Sequence, residues 1–233
     1  MEEKIMRLQE MIYESRYTVA VTGAGISVAA GIGDFQHMNF PVVLQMSSMT
    51  VLKATPEHYY KMARKAFLNA MFQTGPTIAH KKLAEYEQGG RLQGVITTNI
   101  DCLHSLAGSQ NVAEIQGSFG VNKCLNCGKQ YDDVGIWNRG SAPRCDCGGV
   151  IGAFPVFNHI GLFEKDVRKA RAWISQAELV LIIGAQGSYG SVWYPYIQSS
   201  AKIIQINPKP TQFDKIAVLN IHQAADQVFS QLL

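Results

Sequence analysis

The chain has 233 residues, 47% of them hydrophobic, with 21 basic residues against 18 acidic ones and a formal charge of +3. That length supports one substantial core with a smaller inserted module and excludes two independent large domains. The mild positive charge is spread without a basic run, which gives no case for a nucleic-acid partner, and no apolar stretch reaches membrane-spanning length.

Along the chain, Met1-Glu2-Glu3-Lys4 leads into Ile5, Leu8 and Ile12 at helical spacing, an amphipathic helix and not a signal peptide. Short apolar runs follow at Val19-Ala20-Val21, Gly94-Val95-Ile96-Thr97, Leu179-Val180-Leu181-Ile182-Ile183, Lys202-Ile203-Ile204-Gln205-Ile206 and Ile216-Ala217-Val218-Leu219, each with a helical pattern after it. Continuous runs of this kind predict strands covered on both faces, hence an α/β fold with a Rossmann-like parallel sheet. Thr55-Pro56 supplies an N-cap and a first helical residue, Gly89-Gly90 stops a helix that begins near Thr77, and a short helix with Val228 and Leu232 closes the chain. The predicted organisation is a main domain of residues 1–35, 77–120 and 151–233, a helical excursion at 36–76 and a small module at 121–150.

The small module is rich in Gly, Asn and Asp and has few apolar residues to hold it by burial. Cys124-Leu125-Asn126-Cys127 and Cys145-Asp146-Cys147 bracket it, which points to a tetrahedral structural Zn²⁺ held by Cys124, Cys127, Cys145 and Cys147. Four thiolates leave no open position for a reacting water, so this metal is structural. The second pair has one intervening residue where two are usual. The fifth thiol, Cys102, reads as a small buried packing residue rather than a nucleophile. Five cysteines in a chain with no export signal read as thiols or ligands and place it in the cytoplasm.

Val21-Thr22-Gly23-Ala24-Gly25-Ile26-Ser27 runs from a strand toward a helix start, where exposed N–H groups favour a phosphate. Val28 stands where a dehydrogenase-type fingerprint has its third glycine, and a plain strand-to-helix turn accounts for the same residues. Thr97-Thr98-Asn99-Ile100-Asp101-Cys102-Leu103-His104 follows the second strand at the end where α/β sheets place ligands, although Asn99 and Asp101 also read as helix caps.

The glycine loop together with Gly31-Ile32-Gly33-Asp34-Phe35 resembles the sirtuin signature, a GAG-x-S loop followed by G-I-P-D-F-R, and the Asn-Ile-Asp segment with Ala107-Gly108 resembles that family's T-Q-N-I-D-x-L-H-x-x-A-G. The resemblance implies a Rossmann-like NAD-binding domain that uses NAD as a consumed co-substrate. It places the pyrophosphate on Gly23, Ala24, Gly25 and Ser27, and Asp34 and Phe35 beside the nicotinamide and ribose. It assigns Asn99 to a water and the ribose and Asp101 to the nicotinamide amide. Three residues of these two segments depart from the family pattern: Gly33 replaces proline, Gln36 replaces arginine and Thr98 replaces a ribose-binding glutamine. Leu181-Ile182-Ile183-Gly184-Ala185-Gln186-Gly187-Ser188 and Ile204-Gln205-Ile206-Asn207 resemble the two segments that face the adenosine half, which implies contacts from Gly184, Ala185, Gln186, Ser188 and Asn207. The stretch from Gly152 through Phe154-Pro155-Val156-Phe157-Asn158 matches only loosely the segment with which the family pairs an acyl-lysine peptide as an added strand.

Glu114-Ile115-Gln116-Gly117-Ser118 resembles the family's catalytic segment, with Gln116 in place of the histidine. In the family's deacylation scheme the acyl oxygen displaces nicotinamide, and the histidine then activates a ribose hydroxyl. An amide cannot take up that proton near neutral pH, and losing a general base costs about 10²–10⁴ in rate. A sirtuin branch that performs ADP-ribosylation also lacks the histidine. The leading expectation is therefore cleavage of the nicotinamide–ribose bond with transfer of ADP-ribose to a protein acceptor or to water, with Asn99, Asp101 and Gln116 as the catalytic candidates. An NAD-dependent lysine deacylase with another base, acting on an acyl-lysine substrate, comes second, and a module that binds NAD or ADP-ribose without turnover comes third.

Overall fold

The computed structural model describes residues 1–33, 40–159, 161–187 and 192–232, apart from the side chains of Phe40 and Val43. Thr18–Thr22 forms β1 and Leu179–Ile183 forms β7, both buried at every position, as their β-branched runs require. With Gly94–Thr97 (β2), Val112–Glu114 (β3), Lys202–Ile206 (β8) and Leu219–Ile221 (β9) they make a six-stranded sheet in the order β3-β2-β1-β7-β8-β9. Every pairing in it is parallel. The chain builds outward from β1 to β3 on one side and restarts at β7 on the other, so the order reverses between β1 and β7.

Strand alternation splits the core into two layers. Ala20, Val95, Leu181 and Ile204 pack with Ile5, Leu8 and Ile12 of α1 (Glu2–Glu14) and with Leu83 and Val228. Val19, Val21, Ile96, Val180, Ile182 and Ile203 pack with Val167, Ala170 and Ile174 of a helix at Glu164–Ile174 on the opposite face. The parallel sheet with helices on both faces is as the sequence predicts. The helix after Thr77 spans Ile78–Gln88, with the Thr77 hydroxyl accepting from the His80 N–H.

The fifth predicted strand requires correction. Ile216-Ala217-Val218 lies outside β9, and Val218 is 63% exposed. Ile216 and Ala217 donate their N–H groups to the Phe213 carbonyl, which closes a turn; the Val218 N–H reaches the Ile203 carbonyl of β8 at 2.9 Å, and the strand proper runs from Leu219. The polar Asn220 inside β9 hides the strand from a hydrophobic reading, yet it accepts from Gln205 Nε2 on β8 at 3.3 Å.

β3 is an edge strand whose outward groups are closed by side chains. Asp166 Oδ2 accepts from the Glu114 N–H at 2.9 Å, Lys169 Nζ donates to the Val112 carbonyl at 2.9 Å, and the two side chains are paired at 3.3 Å.

Beyond β3, Asn122–Cys124 (β4), Gln130–Tyr131 (β5) and Ile151–Ala153 (β6) form an antiparallel sheet in the order β5-β4-β6. The expectation that this module lacks an apolar anchor also requires correction. Trp137 is fully buried among Tyr59, Phe119 and Ile151, its Nε1 donates to Asn122 Oδ1 at 2.8 Å, and the Tyr60 hydroxyl donates to its carbonyl at 3.1 Å. Tyr59 and Tyr60 belong to the helix Pro56–Ala63, which continues through wider π-type turns to Thr74, so the helical excursion and the small sheet share one core. No described helix is long and apolar enough to cross a membrane.

Trp137→Ala removes the largest side chain of that shared core. Urea unfolding is expected to show a loss of about 3–5 kcal/mol.

Candidate functional site

The reversal of strand order leaves a crevice at the carboxyl ends of β1 and β7, where open α/β sheets bind ligands. Two glycine loops meet there. The Gly23 N–H donates to the Ile183 carbonyl at 3.1 Å and the Gly25 N–H to the Gly184 carbonyl at 3.0 Å. A Cβ on Gly23 would lie 2.8 Å from the Gly184 oxygen, and one on Gly25 would lie 2.6 Å from the Gly184 Cα, so side chains are excluded on both. Gly184 itself has φ +61°, a conformation that favours glycine. Ala24–Ile26 then makes a single 3₁₀ turn instead of entering a long helix. Ala185 accepts from Asn207 Nδ2 at 3.2 Å, which fastens the second loop to the end of β8.

Ser27 joins this crevice to the segment after β2. Its hydroxyl donates to Asp101 Oδ2 at 2.7 Å and accepts from Asn99 Nδ2 at 3.1 Å; the same Asn99 amide donates to the Gly23 carbonyl at 3.2 Å. Asp101 Oδ1 accepts from the Leu103 N–H at 3.0 Å, which caps the helix Leu103–Leu106. The Asp101 side chain thus satisfies the first N–H of that helix, as one reading of the sequence has it, whereas the Asn99 amide turns to Gly23 and Ser27 and caps no described helix. Burial raises the Asp101 carboxyl, and the Ser27 hydrogen bond partly offsets it. Thr98 donates its N–H to the Thr22 carbonyl, and Gln186 lies exposed on the second loop. Asp34, Phe35, Gln36 and Ser188 lie outside the described residues.

Gln116 follows β3 and is 5% exposed, with no partner for its Nε2 among the described residues. The turn that carries it is closed by the Gly117 N–H to the Glu114 carbonyl at 2.7 Å. Gly117 has φ +63°, and a Cβ there would fall 2.3 Å from Phe154, so the turn is pinned under an aromatic ring. At the base of the turn Ser118 Oγ donates to Glu114 Oε2 at 2.5 Å. Burial pushes the Glu114 carboxyl up to about 7. Glu114 and Ser118 were not among the residues singled out from sequence.

The family's peptide-pairing stretch takes another form here. Phe154–Phe157 is a single helical turn with Pro155 in its first positions, and His159 follows at φ +51°. That backbone is not an extended strand available for pairing. A cleft of about 780 Å³ opens beside it, lined by Cys102, Glu114, Ser118, Lys123, Phe154 and Phe163 among others. Cys102 is buried there, and burial holds its thiol well above the usual range, in keeping with a packing role.

Beneath the crevice two histidine rings meet at a tilt, His80 against His104, with centroids 4.5 Å apart and an interplanar angle of 58°. His104 Nε2 hydrogen-bonds the Thr22 hydroxyl at 2.9 Å, and His80 Nδ1 meets Thr77, whose hydroxyl also donates to the Ile26 carbonyl. The pair thus braces the glycine loop from below. Burial lowers His80 to about 4 and His104 well below its ordinary value, so both are neutral at pH 7.

In the small sheet the sulfur atoms of Cys124, Cys127, Cys145 and Cys147 all lie within 4.8 Å of one another. The Cys124–Cys147 and Cys127–Cys145 separations are 3.5 and 3.6 Å. Sulfurs bound to one Zn²⁺ at about 2.3 Å in a tetrahedron sit about 3.8 Å apart, so the donor set and spacing fit that ion. The one-residue spacing of the second pair is accommodated by a turn in which the Gly148 N–H meets the Cys145 carbonyl, with Gly148 at φ +79°. Backbone N–H groups of Cys127, Cys147 and Gly149 lower the thiols of Cys124, Cys145 and Cys147 respectively, favouring the thiolate forms a metal needs.

Two outcomes follow from this geometry. The folded state disfavours protonated His80, so its contribution to stability is complete above pH about 6.5 and is lost as pH falls toward about 4; the thermal midpoint should drop across that window, with a shallower drop in His80→Gln. Elemental analysis should find one zinc per chain, and Cys147→Ser should lower both that content and the thermal midpoint. A metal-free protein with an unchanged midpoint would contradict the zinc assignment.

Comparison with known proteins agrees with this arrangement along almost the whole chain. A model of the Sir2 family matches residues 23–189. The NAD-dependent protein deacetylase of Sulfurisphaera tokodaii is 32% identical over 231 residues, covering 95% of this chain and 91% of that protein. The NAD-dependent protein deacetylase of Thermotoga maritima is 34% identical over 228 residues, covering 93% and 92%. A solved Sir2 structure with a p53 peptide and NAD⁺ superposes with a TM-score of 0.79 at 31% identity, covering 97% of this chain and 96% of that one. With a matching family model, relatives covered over nine-tenths of their length and the same overall fold, this chain belongs to the Sir2 family.

Proposed function

We propose that this chain consumes NAD: it cleaves the nicotinamide–ribose bond and uses the ADP-ribose half to take the acyl group from a protein lysine. The observation that carries the reading is the Ser27–Asn99–Asp101 network, which ties the glycine loop to the Asn-Ile-Asp segment at the reversal of strand order. The packed glycines keep side chains clear of the loop, which suits the close approach of a pyrophosphate to its backbone. Asn99 and Asp101 present amide and carboxyl groups on a rigid mount for the ribose and the nicotinamide amide, and Asn207 and Gly184 serve the adenosine side. Family membership supports NAD as co-substrate. The names of the relatives, NAD-dependent protein deacetylases, support an acyl-lysine acceptor more than the ADP-ribosyl transfer that the sequence brings to the front. The solved structure with p53 peptide and NAD⁺ supports it as well. A Zn²⁺ on the four cysteines would hold the small sheet and take no part in the reaction. A cytoplasmic location accords with five unpaired thiols.

A second reading is transfer of ADP-ribose to a protein acceptor or to water. Two observations favour it: Gln116 offers no general base, and the helical turn Phe154–Phe157 offers no extended edge to a peptide. Both readings share the bond-breaking step, which depends on positioning more than on a base.

Nicotinamide release from NAD, measured with and without an acetyl-lysine peptide, separates them. Release that rises with the peptide and yields free lysine supports deacylation, and release without lysine product supports transfer or hydrolysis. Binding of NAD without release would contradict both. Asn99→Ala is expected to lower release by about 10²-fold through lost positioning.

A further inference from the structure

We infer that His222 is a positioning residue for the adenosine half of the co-substrate: as an imidazolium it clamps the Asn207 backbone, so ADP-ribose and NAD bind more tightly when the ring is charged. The inference rests on the NAD reading above, in which Asn207 serves the adenosine side. β8 and β9 run parallel with Ile206 opposite Ile221, so Asn207 and His222 leave the sheet side by side at its carboxyl edge. Asn207 is buried; its N–H donates to the Ile221 carbonyl at 3.1 Å, and its Nδ2 donates to the Ala185 carbonyl of the second glycine loop at 3.2 Å. His222 Nδ1 meets the Asn207 carbonyl at 3.4 Å, while His222 Nε2 lies 3.2 Å from Asp214 Oδ2.

Both partners of the ring are acceptors, a carbonyl on one side and a carboxylate on the other. Both contacts are hydrogen bonds only when both ring nitrogens carry a proton, which is the charged form. A neutral ring has one N–H. It keeps that N–H on the carboxylate, because a bond to an ionised acceptor is about twice as strong as a neutral one, and its bare Nδ1 then faces the Asn207 carbonyl. The carboxylate cannot follow the ring away: Asp214 Oδ1 accepts from the Thr211 N–H and from Nε2 of the fully buried Gln205, both at 2.6 Å. These two bonds, with a smaller share from His222, hold the Asp214 carboxyl below its ordinary value, so it is ionised wherever the ring changes charge. The other charged groups nearby are turned elsewhere. Lys4 of α1 donates to the Asn220 carbonyl at 2.8 Å, Asp226 of the final helix accepts from the Ile78 and Ala79 N–H groups, and Lys209 and Lys215 are exposed. Glu114, the carboxyl raised to about 7, lies on β3 at the opposite edge of the sheet.

Calorimetric titration of the zinc-loaded protein with ADP-ribose tests this across roughly pH 5.5 to 8, the span in which histidine side chains as a class change charge. The dissociation constant should rise about three- to tenfold from the acid to the alkaline end, the loss of one net hydrogen bond. In the middle of that span binding should take up part of a proton, read from the dependence of the binding heat on the ionisation heat of the buffer. In His222→Gln, whose amide carries no charge, the dissociation constant should stay at its alkaline value throughout and the proton uptake should disappear. The proton uptake of the original chain carries the test if that variant does not fold. A flat dissociation constant or no proton uptake in the original chain, or the same pH dependence in His222→Gln, would overturn the role of His222. Absence of binding at every pH would overturn the NAD reading, and the inference with it.

Discussion

The contact on which the rest of this structure depends is backbone against backbone: Gly23 and Gly25 packed onto Gly184 where the strand order reverses. No side chain fits between these loops, since an added Cβ would come within 2.6–2.8 Å of Gly184 atoms. Because the loops touch, Ser27 arrives beside Asp101 and the Asn99 amide reaches the Gly23 carbonyl. The parallel register of β1 with β2 and β7 holds these carboxyl-end loops level with one another. Burying Asp101 raises its carboxyl, and the hydroxyl of Ser27 with the Leu103 N–H keeps it partnered. The site is thus a set of polar groups that satisfy each other until a ligand enters.

Groups that could carry a proton near neutrality are few around the crevice. The residue at the turn after β3 is an amide, and the histidines His80 and His104 are in ring contact, buried and neutral. Their work is structural: His104 ties Thr22 to the helix after Asp101, and His80 holds Thr77, whose hydroxyl donates to the Ile26 carbonyl. Burial also raises the carboxyl of Glu114, to about 7, on the edge strand whose outward backbone is closed by Asp166 and Lys169. The same edge closure and the helical turn Phe154–Phe157 restrict where a peptide backbone can pair, while the aromatic cleft beside them stays open.

Much of this was legible in the sequence. Buried parallel strands announce themselves as β-branched runs, and four of the five predicted strands stand where the runs placed them. β9 was displaced because Asn220 and His222 interrupt its apolar pattern, and their side chains pair with neighbours in a way periodicity cannot register. The small module reads as poorly apolar by count, yet one Trp137 set against Tyr59 and Phe119 gives it a core, since area per residue matters more than number. The cysteine cluster followed from spacing alone. Glu114 escaped notice because nothing in its local sequence distinguishes it from a surface acid; its burial comes from the turn to Ser118 and from the helix Glu164–Ile174, both tertiary. The signal available was its place two residues before Gln116 on a strand ending at the crevice.

The central claim is that the paired glycine loops and the Ser27–Asn99–Asp101 network form a cradle for NAD. Titration calorimetry of the zinc-loaded protein with NAD and with ADP-ribose addresses it without requiring turnover. The account predicts that both bind one to one, since the loops are placed to hold the shared pyrophosphate and adenosine. Absence of binding by either ligand at millimolar concentration, in a protein that is folded and metal-loaded, would contradict it.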